Sequence, residues 1–187
     1  MPDMPDVPAG PPARRLHDPV AEAMHQMPYG VYAIGSVDDR EANVMVADWV
    51  MQVSFVPRLV AVVLEADSST LRRIRASRCF SVNLLTAEPD SLRMAMGFVQ
   101  PADASKVEGR PEAAARRHHQ KLDDVEFARS ARGLPLLVDA LMWLECAFES
   151  ESPAGDHVLV LGRVIDGRVQ HSAEPMTTSY TGWTYSG

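Results

Sequence analysis

At 187 residues and 20.5 kDa the chain fits one ordinary domain with tails, long enough to bury a sizeable core. Apolar residues make up 46% and charged residues 23%, the balance of a soluble globular protein, and the net charge of -7 disfavours nucleic acid as the main partner. No apolar run nears the ~20 residues of a membrane span, and the start, MPDMPDVPAGPPARRLHDP, lacks the apolar core of a secretory signal. Cys79 and Cys146 form neither a disulfide framework nor a metal-binding spacing. Each lies in an apolar run and reads as a small buried thiol, which places the chain in a reducing cytoplasm.

Residues 1–18 are spaced by prolines and acids and cannot build a core, so a disordered tail is expected there, with one domain over 19–187. The segment after Pro19 makes one or two helical turns and stops before Pro28. Tyr29 to Val37 is rich in β-branched and aromatic residues, Asp38-Asp39-Arg40 closes it, and Glu41 to Val46 returns as a hairpin partner. Ala47 to Val53 is expected to be irregular. Leu59 to Glu65 is a continuous apolar run, as in a strand covered on both faces. Ser68 to Ser77 is a hydroxyl-capped helix with Leu71 and Ile74 one turn apart, Cys79 to Leu85 is a strand, and Glu88 to Met96 is a helix. Residues 101–132 are a long charged insert with short apolar islands. Leu136 to Phe148 and His157 to Ile165 are two strands, and the segment between them, ESESPAGD, reads as a turn. Six or seven strands joined by short turns, with few short helices, predict antiparallel pairing in a barrel or closed sheet. Neither long crossover helices nor a Gly-rich fingerprint favours a doubly wound fold.

Polar residues mark where elements begin and end: Asn43, Gln52, Ser54, Ser68, Ser69, Thr70 and Asn83. Polar side chains and helix-start amides converging on one place suit a phosphate-bearing, flat-ringed ligand. Each signal has a plainer reading. Ser68-Ser69-Thr70, followed by Arg72, Arg73 and Arg75, could hold an anion or simply cap a surface helix with a solvated arginine face. Asn83 could present its amide to the edge of a heteroaromatic ring, or face outward with Ser81 at period two. Trp49, Trp183 and Tyr185 could stack on a flat ligand or pack in the core. Gly155-Asp156-His157 could place a proton donor near a reacting ring or be a β-turn. His118-His119 lacks a third ligand, so no metal site is expected.

Taken as an ordered set, PYGVYAIGS, DWVMQVSFVPRLVAVVLEADSSTLRRIRASRCFSVNLL, GLPLLVDALMWLECAF and GDHVLVLGRV resemble the flavin reductase-like family of FMN-binding split barrels, from about Tyr29 to Ile165. The resemblance implies a mainly β, antiparallel split β-barrel that forms a homodimer, with FMN, or FAD in some members, bound near the dimer interface. The implied activity is hydride transfer from NADH or NADPH to flavin, in some members as the reductase component serving a monooxygenase. Flavoredoxin-like electron carriage, or action on another small organic acceptor, are its alternatives. It carries flavin contacts onto Asn43, Val44, Met45, Asp48, Trp49, Val50, Gln52 and Ser54, mostly through backbone groups. Ser68, Ser69, Thr70, Asn83, Leu84 and Leu85 would lie on the flavin's other side, and His157 near the nicotinamide. Neither nucleic acid nor membrane is an expected partner. The chain departs from the family pattern at Val46-Ala47-Asp48-Trp49, where many reductases carry a Thr-Ala-x-Ser type segment, and at Arg58, which replaces the family's second proline.

Overall fold

The computed structural model describes residues 18–39, 41–99 and 121–183. Two compact units are distinguished, Pro28–Trp183 and the terminal residues 1–27 with 184–187. In the terminal unit, helix α1 (Pro19–Met24) starts at Asp18, whose carboxylate accepts from the Val20 and Ala21 amides, and it buries no residue. The expected tail over residues 1–17 and the stretch 100–120 of the charged insert lie outside the described residues.

The body runs β1 (Tyr32–Asp38), β2 (Glu41–Ala47), β3 (Val50–Phe55), β4 (Arg58–Glu65), α2 (Ser69–Ser77), β5 (Cys79–Leu84) and α3 (Pro89–Phe98). It continues with β6 (Phe127–Arg129), β7 (Pro135–Leu137), β8 (Met142–Ala154), β9 (His157–Val169) and the short α4 (Thr178–Thr181). Seven strands form one sheet in the order β2-β1-β5-β8-β9-β4-β3, with every pairing antiparallel, and β6-β7 make a separate hairpin. The expected mainly β, antiparallel architecture is therefore present.

The edge strands of this sheet, β2 and β3, are neighbours in sequence and are joined only by Asp48 and Trp49. A flat sheet of this size would hold its edges about 29 Å apart at ~4.8 Å per strand. The step from Ala47 to Val50 reaches at most about 11 Å. The sheet must therefore curl enough to bring the end of β2 and the start of β3 within reach of the Asp48-Trp49 strap. Ile34, Val60, Val62, Leu64, Phe80, Val82, Cys146, Val158 and Val160 line the inside of the roll, and Leu71 and Ile74 of α2 pack into it. Each such side chain, fully buried, contributes about 1.5–3 kcal/mol. Alternate residues face outward into a second core: Val31, Ala33, Val44 and Leu85 pack with Ala95 and Phe98 of α3, and with Leu137 and Met176. Gly35 permits the β6-β7 hairpin to lie close on this face, since a Cβ there would stand 2.1 Å from Ser81 Oγ and 2.7 Å from the Pro135 ring.

Three sequence expectations need correction. Ala47 to Val53 is not irregular throughout, because β3 starts at Val50. As an edge strand exposed along most of its length, with a bulge between Gln52 and Ser54, it has no in/out contrast to reveal a strand period. Leu136 to Phe148 is not one strand but β7 and β8 with a turn between them. In that turn Asp139 is exposed while Ala140 is buried, and the sequence shows only one polar residue to mark it. Gln170 Nε2 donates to the Leu137, Val138 and Ala140 carbonyls at 2.6, 3.1 and 3.1 Å, so the turn does not need water for its backbone. Finally, β8 runs through ESESPA to Ala154, leaving a tight turn at Gly155 (φ 66) and Asp156.

Candidate functional site

The strap's backbone is fixed at both of its residues. The Val63 amide donates to the Trp49 carbonyl at 3.0 Å, and the Val50 amide donates to the Asp48 carbonyl at 2.9 Å. This holds Trp49 beside the end of β4, where Glu65 pairs with His157, the first residue of β9. The Trp49 and His157 rings meet at a centroid distance of 5.0 Å, tilted by 49°, within the usual range for aromatic contacts. His157 Nδ1 lies 2.6 Å from Asp156 Oδ1. The imidazole is 12% exposed and the Asp156 carboxylate 92%, so the acid works from the solvent side. The hydrogen bond from His157 holds the Asp156 carboxyl below its ordinary range, while burial pushes Asp48 above it.

Helix α2 begins one turn further on. The Ser68 amide donates to the Glu65 carbonyl at 3.0 Å, the Ala66 amide to the Asp156 carbonyl at 3.2 Å, and Ser68 Oγ caps the Leu71 amide at 3.3 Å. Asp48, Trp49, Ser68, Ser69 and His157 are thus gathered around the end of β4, as are the first-turn amides that helix geometry leaves without intrahelical acceptors. Thr70 is buried (3% exposed), so its side chain belongs to the core. Two of the arginines expected to draw an anion are engaged elsewhere. Arg73 pairs with Asp38 at 2.9 Å and donates to the Glu41 carbonyl, and Arg75 grips Glu151 with Nη2 at 2.8 Å and Nε at 2.9 Å. Arg72 is exposed.

The remaining candidates are distributed along the sheet. Asn43 is buried opposite Ser36, and Val44 is buried in the outer core with its carbonyl accepting from Lys121 Nζ at 3.2 Å. Met45 and Val50 pack against the inner core, Ser54 is half-buried, and Gln52 is exposed with Nε2 donating to the Ser54 carbonyl at 3.2 Å. Leu84 pairs with Tyr32, which pairs with Ala47, so the Leu84 end of β5 lies two strands from the base of the strap. Leu85 is fully buried in the outer core.

Asn83 shares the outward face of β5 with Ser81, as the period-two reading has it, but β7 covers that face and the side chain is fully buried. Nδ2 donates to the Ala33 carbonyl at 3.1 Å and lies 3.3 Å from Ser81 Oγ, while Oδ1 accepts from the Leu137 amide at 2.9 Å. Both ends of the amide fasten the small hairpin onto the sheet. Sequence reasoning passed over Glu65, directly across the ladder from His157; an acid closing a buried apolar run was the available signal.

Trp183 packs in the outer core, and Tyr185 and His118-His119 lie outside the described residues. Among the described residues no group of three His, Cys, Asp or Glu side chains could hold a metal ion, and no helix is long and apolar enough to cross a membrane.

Comparison with known proteins gives the family. The chain is 32% identical over 152 residues to the NADH-dependent FMN reductase AsuE2 of Streptomyces nodosus subsp. asukaensis, covering 81% of this chain and 73% of that protein. It is 30% identical over 161 residues to a high molecular weight rubredoxin of Moorella thermoacetica, covering 85% of this chain but only 64% of that protein's length. Among solved structures, BorF, the flavin reductase component of a bacterial two-component tryptophan halogenase, superposes with a TM-score of 0.70 at 25% identity, covering 87% of this chain and 93% of that one. The family model for the flavin reductase like domain matches residues 24–185, and the chain belongs to that family.

Proposed function

We propose that this protein is an NAD(P)H:flavin oxidoreductase that passes a hydride from a nicotinamide to FMN, with FAD as the alternative flavin. The observation that carries this reading is the convergence of the Asp48-Trp49 strap, the Ser68-capped start of α2 and His157 at one end of the rolled sheet. These residues fit a flavin. The Ser69 and Thr70 amides offer donors to a phosphate at a helix start. The strap and β3 offer backbone groups and Gln52 to a polar ring edge, while the paired Trp49 and His157 rings stand on the side from which the nicotinamide would approach. A bound flavin supplies the two-electron chemistry, so no side-chain acid or base is obligatory. The protein's part is to hold the ring, keep water off it and set the approach of the nicotinamide, the last through His157.

The rolled sheet is read as the family's split barrel, and the assembly as a homodimer. Exposed apolar side chains on and beside β3, including Phe55 (83%) and Val56 (93%), support the second point, as they are surface a second copy would cover. Phe55→Glu is expected to shift the light-scattering mass from two chains to one. Reduced flavin would then serve a separate monooxygenase component, a reading supported by the likeness to BorF, the reductase component of a two-component tryptophan halogenase. Two free buried cysteines support a reducing cytoplasm.

Stopped-flow mixing of FMN-loaded protein with NADH and NADPH tests the reading: one of them should bleach the flavin absorbance within seconds. The likeness to a rubredoxin favours a second reading, an FMN-bearing electron carrier. Protein that retains FMN but is bleached by neither nucleotide would establish that reading instead.

A further inference from the structure

We propose that Trp49 is a positioning residue for His157, and that through this contact the strap sets how the nicotinamide donor is accepted. The inference rests on the oxidoreductase reading above. Trp49 has little freedom of its own, because its carbonyl is tied to Val63 and the residue before it to Val50. The strap also has no slack, since those two residues must join the opposite edges of a rolled sheet. The indole therefore meets His157 from a fixed base, and theirs is the ring–ring contact found among the described residues.

His157 is restrained from two directions that do different things. Asp156 engages Nδ1 at 2.6 Å and fixes the rotation of the ring about its own bond, while the indole lies against the ring and limits its tilt. The backbone beneath it is held by the ladder to Glu65 on one side and Ala154 on the other. An imidazole held in rotation and tilt presents one face geometry to an incoming nicotinamide. Removing the indole releases tilt without touching the Asp156 bond. The effect should fall on recognition of the donor, which arrives after the flavin is seated, and much less on flavin affinity.

The pair can be read without any flavin, since an imidazole lying against an indole alters its emission. In the flavin-free full chain, the emission contributed by Trp49, taken as the difference between wild type and Trp49→Phe, should change when the same difference is taken in a His157→Gln background. In the flavin-loaded protein, Trp49→Ala should raise the KM for the nicotinamide about tenfold, with kcat and flavin affinity changed less than about twofold, and Trp49→Phe should restore most of it. An emission difference that is unaltered by His157→Gln overturns the contact. A loss of flavin affinity as large as the rise in KM overturns the role, assigning Trp49 to the flavin itself. If wild type oxidises neither NADH nor NADPH, the oxidoreductase reading fails and takes the proposed role with it, an outcome distinct from a failure of the emission test alone.

Discussion

Asn83 and Trp49 both stand among the residues onto which the family resemblance carries flavin contacts. The fold separates them. Asn83 lies under the β6-β7 hairpin with its amide bonded to Ala33 and Leu137, whereas Trp49 lies on a strap between sheet edges with its ring against His157. A buried amide whose donor and acceptor are both engaged has nothing left to offer a ligand, and its removal is felt by the fold. A half-buried ring set against another ring at the end of a sheet is felt chiefly by whatever docks there.

Mutations can break this contrast or sharpen it. Asn83→Ala should cost about 2–4 kcal/mol in chemical denaturation, because the Leu137 amide and the Ala33 carbonyl lose their partner in the interior. The protein that remains folded should bind FMN as before. An unchanged midpoint with weakened flavin binding would return Asn83 to the ligand site. His157→Ala should slow nicotinamide-driven flavin reduction by about 10–100-fold, equivalent to about 1.4–2.7 kcal/mol, while the melting temperature and flavin affinity stay close to wild type. The reverse result in stopped-flow and flavin titration would make His157 a flavin ligand.

Ser68→Ala should lower stability by about 1 kcal/mol through loss of the α2 cap. Ser68→Asp restores the cap but adds a negative charge where a phosphate is expected. Thermal melts of the two variants should therefore diverge from their FMN affinities, the aspartate variant being stable but weak-binding. The smallest effect is expected at Asp48. Burial raises its carboxyl pKa, so the folded chain holds that proton more tightly than the unfolded chain does. Its contribution to stability is thus greatest at low pH and declines as pH climbs through the unfolded value towards the raised one. Asp48→Asn should remove that decline and leave the protein slightly more stable than wild type at neutral pH, read as the difference between their melting temperatures across pH 3–7.

Much of the fold was legible because its signals are local. The capped helix after Ser68, the apolar run of β4 and the β1-β2 hairpin follow from propensity, period and turn residues at the positions where they occur. Where the structure departs, a distant group had replaced the local signal. Gln170 satisfies the carbonyls of a turn whose own residues include only one polar side chain, and the exposed edge strand β3 carries no alternation because neither face is sorted by burial. The site divides in the same way. Ser68 and the Gly155-Asp156-His157 turn announced themselves, while the engagement of Arg73 with Asp38 and of Arg75 with Glu151 depends on elements far away in the chain.

By itself, the sequence indicated most of the strands and helices, the antiparallel mainly β class and, through the resemblance of its motifs taken in order, the family. Only the tertiary structure decided that Asn83 faces another layer of the protein and that Trp49 touches His157, 108 positions later. The reason is physical: a strand's period says that a side chain takes one of two faces, but what covers each face is set by the rolling of the sheet and the strap that holds its edges together.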